Sequence, residues 1–294
     1  MKAAEYLCTV LAAATLTLVG EMNAAERRNS LSTSAEFGIS GSGGLSQGTV
    51  ELGETESLFT RLRIMDTIPV NPSYSWRIGG EWERIGFGLP SGVPLPNTVQ
   101  SLELKLGNSW RLNRRSLVQF DASPGIYSDF EDVGIGDFNI PISARYIFIQ
   151  STNVQWVVAA IGDPKNEIPV VGGVGLRWMF ATDWTLDLIL PRPQIRYAAR
   201  ENLTLHAGGG LKGGAYRVGE NFGTRVGRPE LNDEDMTYRE IRVGGGFNWK
   251  VTPKISALFD GGWVIDRRFS FKDARLQLNG KGAPYFQLAV NANF

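Results

Sequence analysis

The sequence predicts an all-β fold, an antiparallel transmembrane β-barrel of about 14 strands with 12 as the alternative. Three observations predict it: apolar and polar residues alternate in run after run beyond residue 35, short and long connections alternate along the chain, and tryptophans gather near the short connections.

The elements follow in chain order. Residues 1–25, MKAAEYLCTVLAAATLTLVGEMNAA, carry Lys2, an apolar stretch from Tyr6 to Gly20 and small residues at Ala24 and Ala25. That order is expected of a secretory signal peptide, and the apolar stretch is short for a bilayer-spanning helix. A single barrel domain is expected over 26–294. Cys8, the one cysteine, falls inside the leader, so the exported chain would hold no disulfide and would depend on an extended hydrogen-bonded framework.

A weak strand is expected at 34–40, where Phe37 and Ile39 alternate with polar neighbours. Stronger ones follow at 58–66, 74–86, 98–110, 115–123, 138–149, 154–161, 168–180, 184–190, 194–200, 203–218, 238–251, 254–266 and 284–294. In the second of these, Tyr74, Trp76, Ile78 and Trp82 share one face while Ser75, Arg77 and Glu81 share the other. The connections RLNR, STN, ATD, EN and TP are short, with 67–73 somewhat longer, and 87–97, 124–137, 162–167, 219–237 and 267–283 are longer, broken only by the tight PRP at 191–193. A soluble sandwich also alternates, but it has no reason to sort its loops by end; a barrel crossing an outer membrane does. Trp76, Trp110, Trp156, Trp178, Trp184 and Trp249 sit on apolar faces beside short connections, and Trp82 and Trp263 lie toward the other end, which reads as a pair of interfacial girdles.

The chain ends YFQLAVNANF, with Phe286, Leu288, Val290, Ala292 and Phe294 alternating to a terminal aromatic. This ending resembles the signal by which bacterial outer-membrane barrels are presented to their assembly machinery. The stretches PGIYSDF, LPRPQIRY and LHAGGGLKGGAYRV also resemble a family of outer-membrane barrels known as a domain of unknown function. The resemblances imply residence in the bacterial outer membrane with its lipid and the assembly machinery as partners, and they imply no activity.

Thirty basic residues balance thirty acidic ones, which argues against a nucleic-acid partner. Gly208, Gly210 and Gly213 match the dinucleotide spacing G-x-G-x-x-G, yet Leu203, Leu205 and Ala207 alternate with Thr204 and His206, and no helix signal follows. No nucleotide is expected. The glycines are read as places where the wall bends, so valine at Gly209 or Gly210 is expected to impair folding.

Alternation puts Arg61, Arg63, Arg77, Glu81, Glu83, Glu103, Lys105, Arg145, Arg177, His206, Glu240 and Arg242 on the inner face as candidate lumen-lining residues, with Asp121, Asp187, Arg196, Lys212, Lys250, Asp260 and Asp266 beside them. A mixed charged wall suits either a stiffening network of ion pairs or a filter for polar solutes. His206 on a lumen face also raises acyl-transfer chemistry, although no serine shares its strand nearby. Asp233, Glu234 and Asp235 are consecutive and lack the spaced pattern of a calcium loop, so no metal and no cofactor are expected. The expected role is a porin-like channel for small polar solutes; the alternatives are an outer-membrane lipid-acting enzyme and a structural or adhesive barrel with a filled lumen.

Overall fold

The computed structural model describes residues 30–294, so the expected signal segment 1–25 lies outside the described residues. One continuous sheet contains β1 (Ser30–Gln47), β2 (Val50–Asn71), β3 (Tyr74–Gly88), β4 (Thr98–Arg111), β5 (Ser116–Ala122) and β6 (Gly125–Ser128). It continues through β7 (Phe138–Asn139), β8 (Ile142–Ile149), β9 (Val154–Gly162), β10 (Val170–Ala181), β11 (Trp184–Asp187) and β12 (Gln194–Arg200). It ends with β13 (Leu203–Arg217), β14 (Asp235–Lys250), β15 (Ile255–Phe271), β16 (Leu276–Gly280) and β17 (Ala283–Asn293). The pairs β5 with β6, β7 with β8 and β16 with β17 each keep one register against their neighbours, so each pair is a single wall strand with a break. Fourteen wall strands result, which excludes the 12-strand alternative.

The last strand closes the wall by pairing antiparallel with β1, Ile39 opposite Phe286 and Phe37 opposite Leu288. Closure leaves no edge along that seam, which a structure inside a bilayer requires. Both described termini and most of the tight turns lie at one end, here the turn end; the longer connections lie at the other, the loop end, together with the two-residue turn between β1 and β2 and the turn at 272–275. Exposed apolar side chains, among them Trp76, Ile78, Leu102, Leu104, Trp178 and Trp249, face outward on alternate positions and form the lipid-facing band.

Several strands run farther than the alternation suggested. The weak strand expected at 34–40 is an 18-residue strand, and its partner expected at 58–66 covers 22 residues. The expected loop 267–283 is mostly strand, with a turn at 272–275, and β6 lies within the expected loop 124–137. The expected strand 184–190 stops at Asp187.

These extensions were hidden because the apolar face changes side. On β3, Trp76 and Ile78 point outward, but farther up Ile85 and Phe87 are buried inside. β14 does the same, with Val243 exposed outside and Met236 and Tyr238 buried within. Above the lipid band the outer face meets water and must be polar, so the barrel there is built like a soluble one. The period of two persists through this switch and only its phase changes.

The result is an apolar plug at the loop end. Leu45, Phe59, Ile85, Phe87, Val99, Met236, Tyr238, Phe269 and Leu278 fill the interior, and Val93, Leu95, Val218, Phe222 and Leu231 drop into it from the loops. Phe87 packs edge-on against Tyr238 and Phe269, with ring centroids 5.2 Å apart in both pairs. The loop 218–234 therefore covers the barrel by folding into it, through the short helix α1 (Phe222–Arg225) and a single helical turn at Pro229–Leu231.

Asp129 ties that loop down: its carboxylate accepts N–H bonds from Gly219 at 2.9 Å and Glu131 at 3.2 Å. Burial, the main cause, holds its carboxyl above the ordinary carboxylate range. The folded loop then favours the protonated acid, so this group's contribution to loop stability is greatest at low pH and is lost as pH rises through the raised value. Asp129→Ala should abolish that pH dependence and quicken proteolysis of 218–234 at every pH, since the Gly219 N–H loses its acceptor at a cost of about 1–3 kcal/mol. Cleavage rates of both proteins across the acid range check this.

Candidate functional site: the lumen and an opening in its wall

Beneath the plug the inner wall carries clustered ion pairs, most of them set by cross-strand register. Arg61 on β2 pairs with Glu83 on β3 at 2.5 Å and with Glu36 on β1 at 3.4 Å, and Arg63 reaches Glu81 at 2.7 Å. Lys105 on β4 sits between Glu103 and Glu81. Across the lumen from β13, the Tyr216 hydroxyl donates to Glu83 at 2.8 Å. A second cluster joins Arg77 and Arg145 to Asp121, at 2.6 and 2.9 Å. A third joins Arg177 and Arg196 to Asp187, at 2.8 and 3.2 Å.

The fourth cluster is fully enclosed. Glu240 on β14 and Arg267 on β15 are both 0 % exposed and pair at 2.8 Å; Arg242 Nε donates to the other Glu240 oxygen at 2.7 Å. Arg267 also donates to the Thr55 carbonyl at 3.0 Å, and Arg242 to the Ser40 hydroxyl at 3.2 Å. His206 lies 3.8 Å from Asp260, which also accepts from the Tyr285 hydroxyl at 3.2 Å. Among the described residues no serine hydroxyl hydrogen-bonds to His206, so the geometry for acyl transfer is not assembled there.

The candidate residues thus fall into separate groups. Arg61, Arg63, Glu81, Glu83, Glu103 and Lys105 come together; Arg77 joins Arg145, Arg177 joins Arg196, Glu240 joins Arg242, and His206 stands with Asp260. Asp266 is corrected: a bulge between β14 and β15 shifts the register there, so it turns outward to Arg239 at 3.0 Å. The same bulge turns Arg267 inward. Sequence reasoning missed Arg267, which the bulge turns inward; it also passed over Tyr216 and Glu36, although simple alternation within the expected strands 203–218 and 34–40 puts both on the inner face. The assembly-signal residues Phe286, Leu288 and Val290 lie on β17 opposite Ile39, Phe37 and Ala35. The Phe294 amide donates to the Leu31 carbonyl at 2.8 Å.

Toward the turn end the lumen holds solvent-accessible space. Arg63, Arg145 and Arg177 remain 46 %, 42 % and 44 % exposed although they point inward, as they can only where the interior holds solvent-sized space. A cavity of about 340 Å³ lined by Ser32, Ser34, Arg63, Asn291 and Asn293 opens there.

The wall is also interrupted. β9 and β12 are short, and β6 leans inward to meet β13, with Ser128 beside Arg217 in a parallel pairing. β10 pairs along 170–178 with β9, but on its other side the ladder with β11 begins only at Arg177, extended by the Leu188 amide bonding to Leu176. β13 pairs with β12 up to Gly208, and the Gly209 and Leu211 amides then bond to Pro193 and Pro191. Among the described residues no backbone hydrogen bond joins Val170–Val174 to Lys212–Tyr216. The opening starts just above the row Gly209, Val243, Trp263, at the outer aromatic level.

On one edge of the opening Lys212 of β13 faces inward toward Glu36, whereas on the β9–β10 side the inner wall is uncharged. Gly173, Ala159, Val157, Ile161 and Val171 face inward there, and β9 has no charged residue at all. Val171 and its neighbour Ile161, both on the inner face, are 49 % and 51 % exposed.

Residues 73–294 match the family model described as Domain of unknown function (DUF6268). The chain belongs to this family. No curated protein sequence matches it. Among solved structures it is similar in fold to an outer membrane channel from Pseudomonas putida F1, at 13% identity and TM-score 0.50, covering 94% of this chain and 100% of that one. It is also similar to a deltaS2S3 mutant of the TodX monoaromatic hydrocarbon channel, at 8% identity and TM-score 0.50, covering 92% and 91%. At such identities the likeness concerns the fold, a closed transmembrane barrel.

Proposed function

We propose that the chain is an outer-membrane channel that passes small, largely apolar molecules through the opening in its wall into the lumen, and from there to the periplasm. On this reading the turn end faces the periplasm, the plug faces outward, residues 1–25 direct export, and the aromatic-ended β17 is the segment the assembly machinery takes up. The observation that carries the proposal is the interrupted ladder between Val170–Val174 and Lys212–Tyr216. Unpaired strand edges cannot face hydrocarbon, so the opening must meet water or headgroups at the outer interface. The uncharged inner wall on its β9–β10 side favours apolar cargo, and the fold likeness to a monoaromatic hydrocarbon channel agrees with that.

Polar solutes are a second reading, supported by the exposed guanidiniums of Arg63, Arg145 and Arg177 in the vestibule. One set of measurements separates the two. Cells producing the barrel should admit the hydrophobic dye N-phenyl-1-naphthylamine severalfold faster than cells lacking it, and Val171→Trp, which fills the inner side of the opening, should cancel the gain. Sugar-driven swelling of proteoliposomes without dye uptake would favour the polar reading instead. Neither response would leave a barrel whose filled lumen serves a structural role.

A further inference from the structure

The segment 188–193 forms the lower rim of the opening and is firmly mounted. The carbonyls of Pro191 and Pro193 accept the amides of Leu211 and Gly209 at 2.9 and 2.8 Å, and both flanking prolines fix their own φ. Between them Arg192 extends inward, and its guanidinium ends 3.9 Å from Glu36 on β1. From the rim to β1 the wall must pass β13, β14, β15 and β17, so this contact spans the lumen instead of following the wall. Glu36 also faces Arg61 at 3.4 Å and Lys212 at 4.0 Å.

Arg192 differs from the other inward cations in how loosely it is held. Its side chain is 50 % exposed, against 12 % for Glu36, and its single ionic contact is longer than a hydrogen bond. A loose pair with one exposed partner adds little stability, so the side chain can swing aside at little cost. The enclosed Glu240–Arg267 pair cannot.

We infer that Arg192 is a movable bar across the lumen, which sets the passage between the opening and the periplasmic vestibule. The inference rests on the channel reading above, because the bar regulates that route. A rigid backbone mount with a mobile, solvated side chain suits such a device: the barrier stays in place while its tip yields to a passing solute.

The test is single-channel conductance of the purified full-length barrel in a planar bilayer, with heat-modifiable migration in detergent gels as the check of folding. Arg192→Ala should raise the mean conductance severalfold, and Glu36→Gln should raise it less. Arg200→Ala, at an exposed turn-end position, should leave it as in the parent. Arg192→Cys treated with a positively charged thiol reagent should fall back toward the parent value, which keeps the test open even if the alanine variant fails to assemble. Unchanged conductance in a folded Arg192→Ala barrel, or no response of Arg192→Cys to the reagent, would overturn the bar. Because conductance reads ions, its outcome is separate from dye uptake: dye uptake with unchanged conductance removes only the bar, and raised conductance without dye uptake keeps the bar and removes the apolar route.

Discussion

Glu240→Ala should destabilise the barrel by about 3–5 kcal/mol, because it leaves the Arg267 and Arg242 guanidiniums uncompensated in an enclosed site. Arg267 is 0 % exposed, and apart from Glu240 its hydrogen bonding rests on one carbonyl, Thr55, at 3.0 Å. Water cannot replace the missing carboxylate without opening the plug that lies above it. Urea unfolding in lipid vesicles, followed by tryptophan fluorescence, should show the midpoint falling well below that of the parent. The triple substitution Glu240→Leu, Arg242→Met, Arg267→Met should recover most of the loss, since removing all the charges also removes their desolvation cost. A Glu240→Ala barrel as stable as the parent would mean that the cluster is hydrated and that the plug does not seal the lumen.

The second large effect concerns backbone contact. Gly213→Val should prevent assembly, whereas Gly210→Val should assemble normally. A Cβ at Gly213 would overlap the Tyr238 carbonyl oxygen, and its φ of +143° is one that side chains with a Cβ rarely adopt. At Gly210 nothing lies within 4 Å of the added carbon. Strained backbone of this kind costs about 1–3 kcal/mol before the overlap is counted. The readout is the fraction of protein showing heat-modifiable migration after refolding into detergent. Equal assembly of the two variants would show that the β13–β14 contact yields enough to admit a side chain at Gly213. This corrects the expectation at Gly209 and Gly210: the sequence pointed to the correct strand and the wrong glycines. At Gly209 the nearest atom to an added Cβ is 3.4 Å away, an ordinary contact, while Gly208, Gly244, Gly246 and Gly262 are pressed against neighbouring backbone. Composition reveals a glycine-rich wall, but which glycine meets a carbonyl depends on strand twist. The same strand disposes of the nucleotide fingerprint, for Gly208, Gly210 and Gly213 all lie within β13 and no helix begins there.

Much of the lower barrel was legible because a lipid-facing wall imposes one rule along every strand. Trp76 and Ile78 must face out and Arg77 must face in, so each residue reports its own side. The upper barrel was not legible by that rule, since Ile85, Phe87, Met236 and Tyr238 obey the opposite one. The phase switch is present in the letters, and reading each strand for a change of apolar side would have found it. The bulge before Asp266 left no comparable trace, because one extra residue looks the same as its neighbours until the partner strand is known.

While the choice of 14 strands over 12 came from the structure, the sequence by itself determined an antiparallel transmembrane wall, its lipid-facing band and the mixed charges within. These follow from local alternation and from a solvent that punishes every exception. Tertiary structure alone decided which charges meet, that the loop end is plugged, that Arg192 reaches Glu36, and that the wall is open beside Val171. Those features depend on strands far apart in the chain ending at unequal heights around one circumference, a quantity that no single strand encodes.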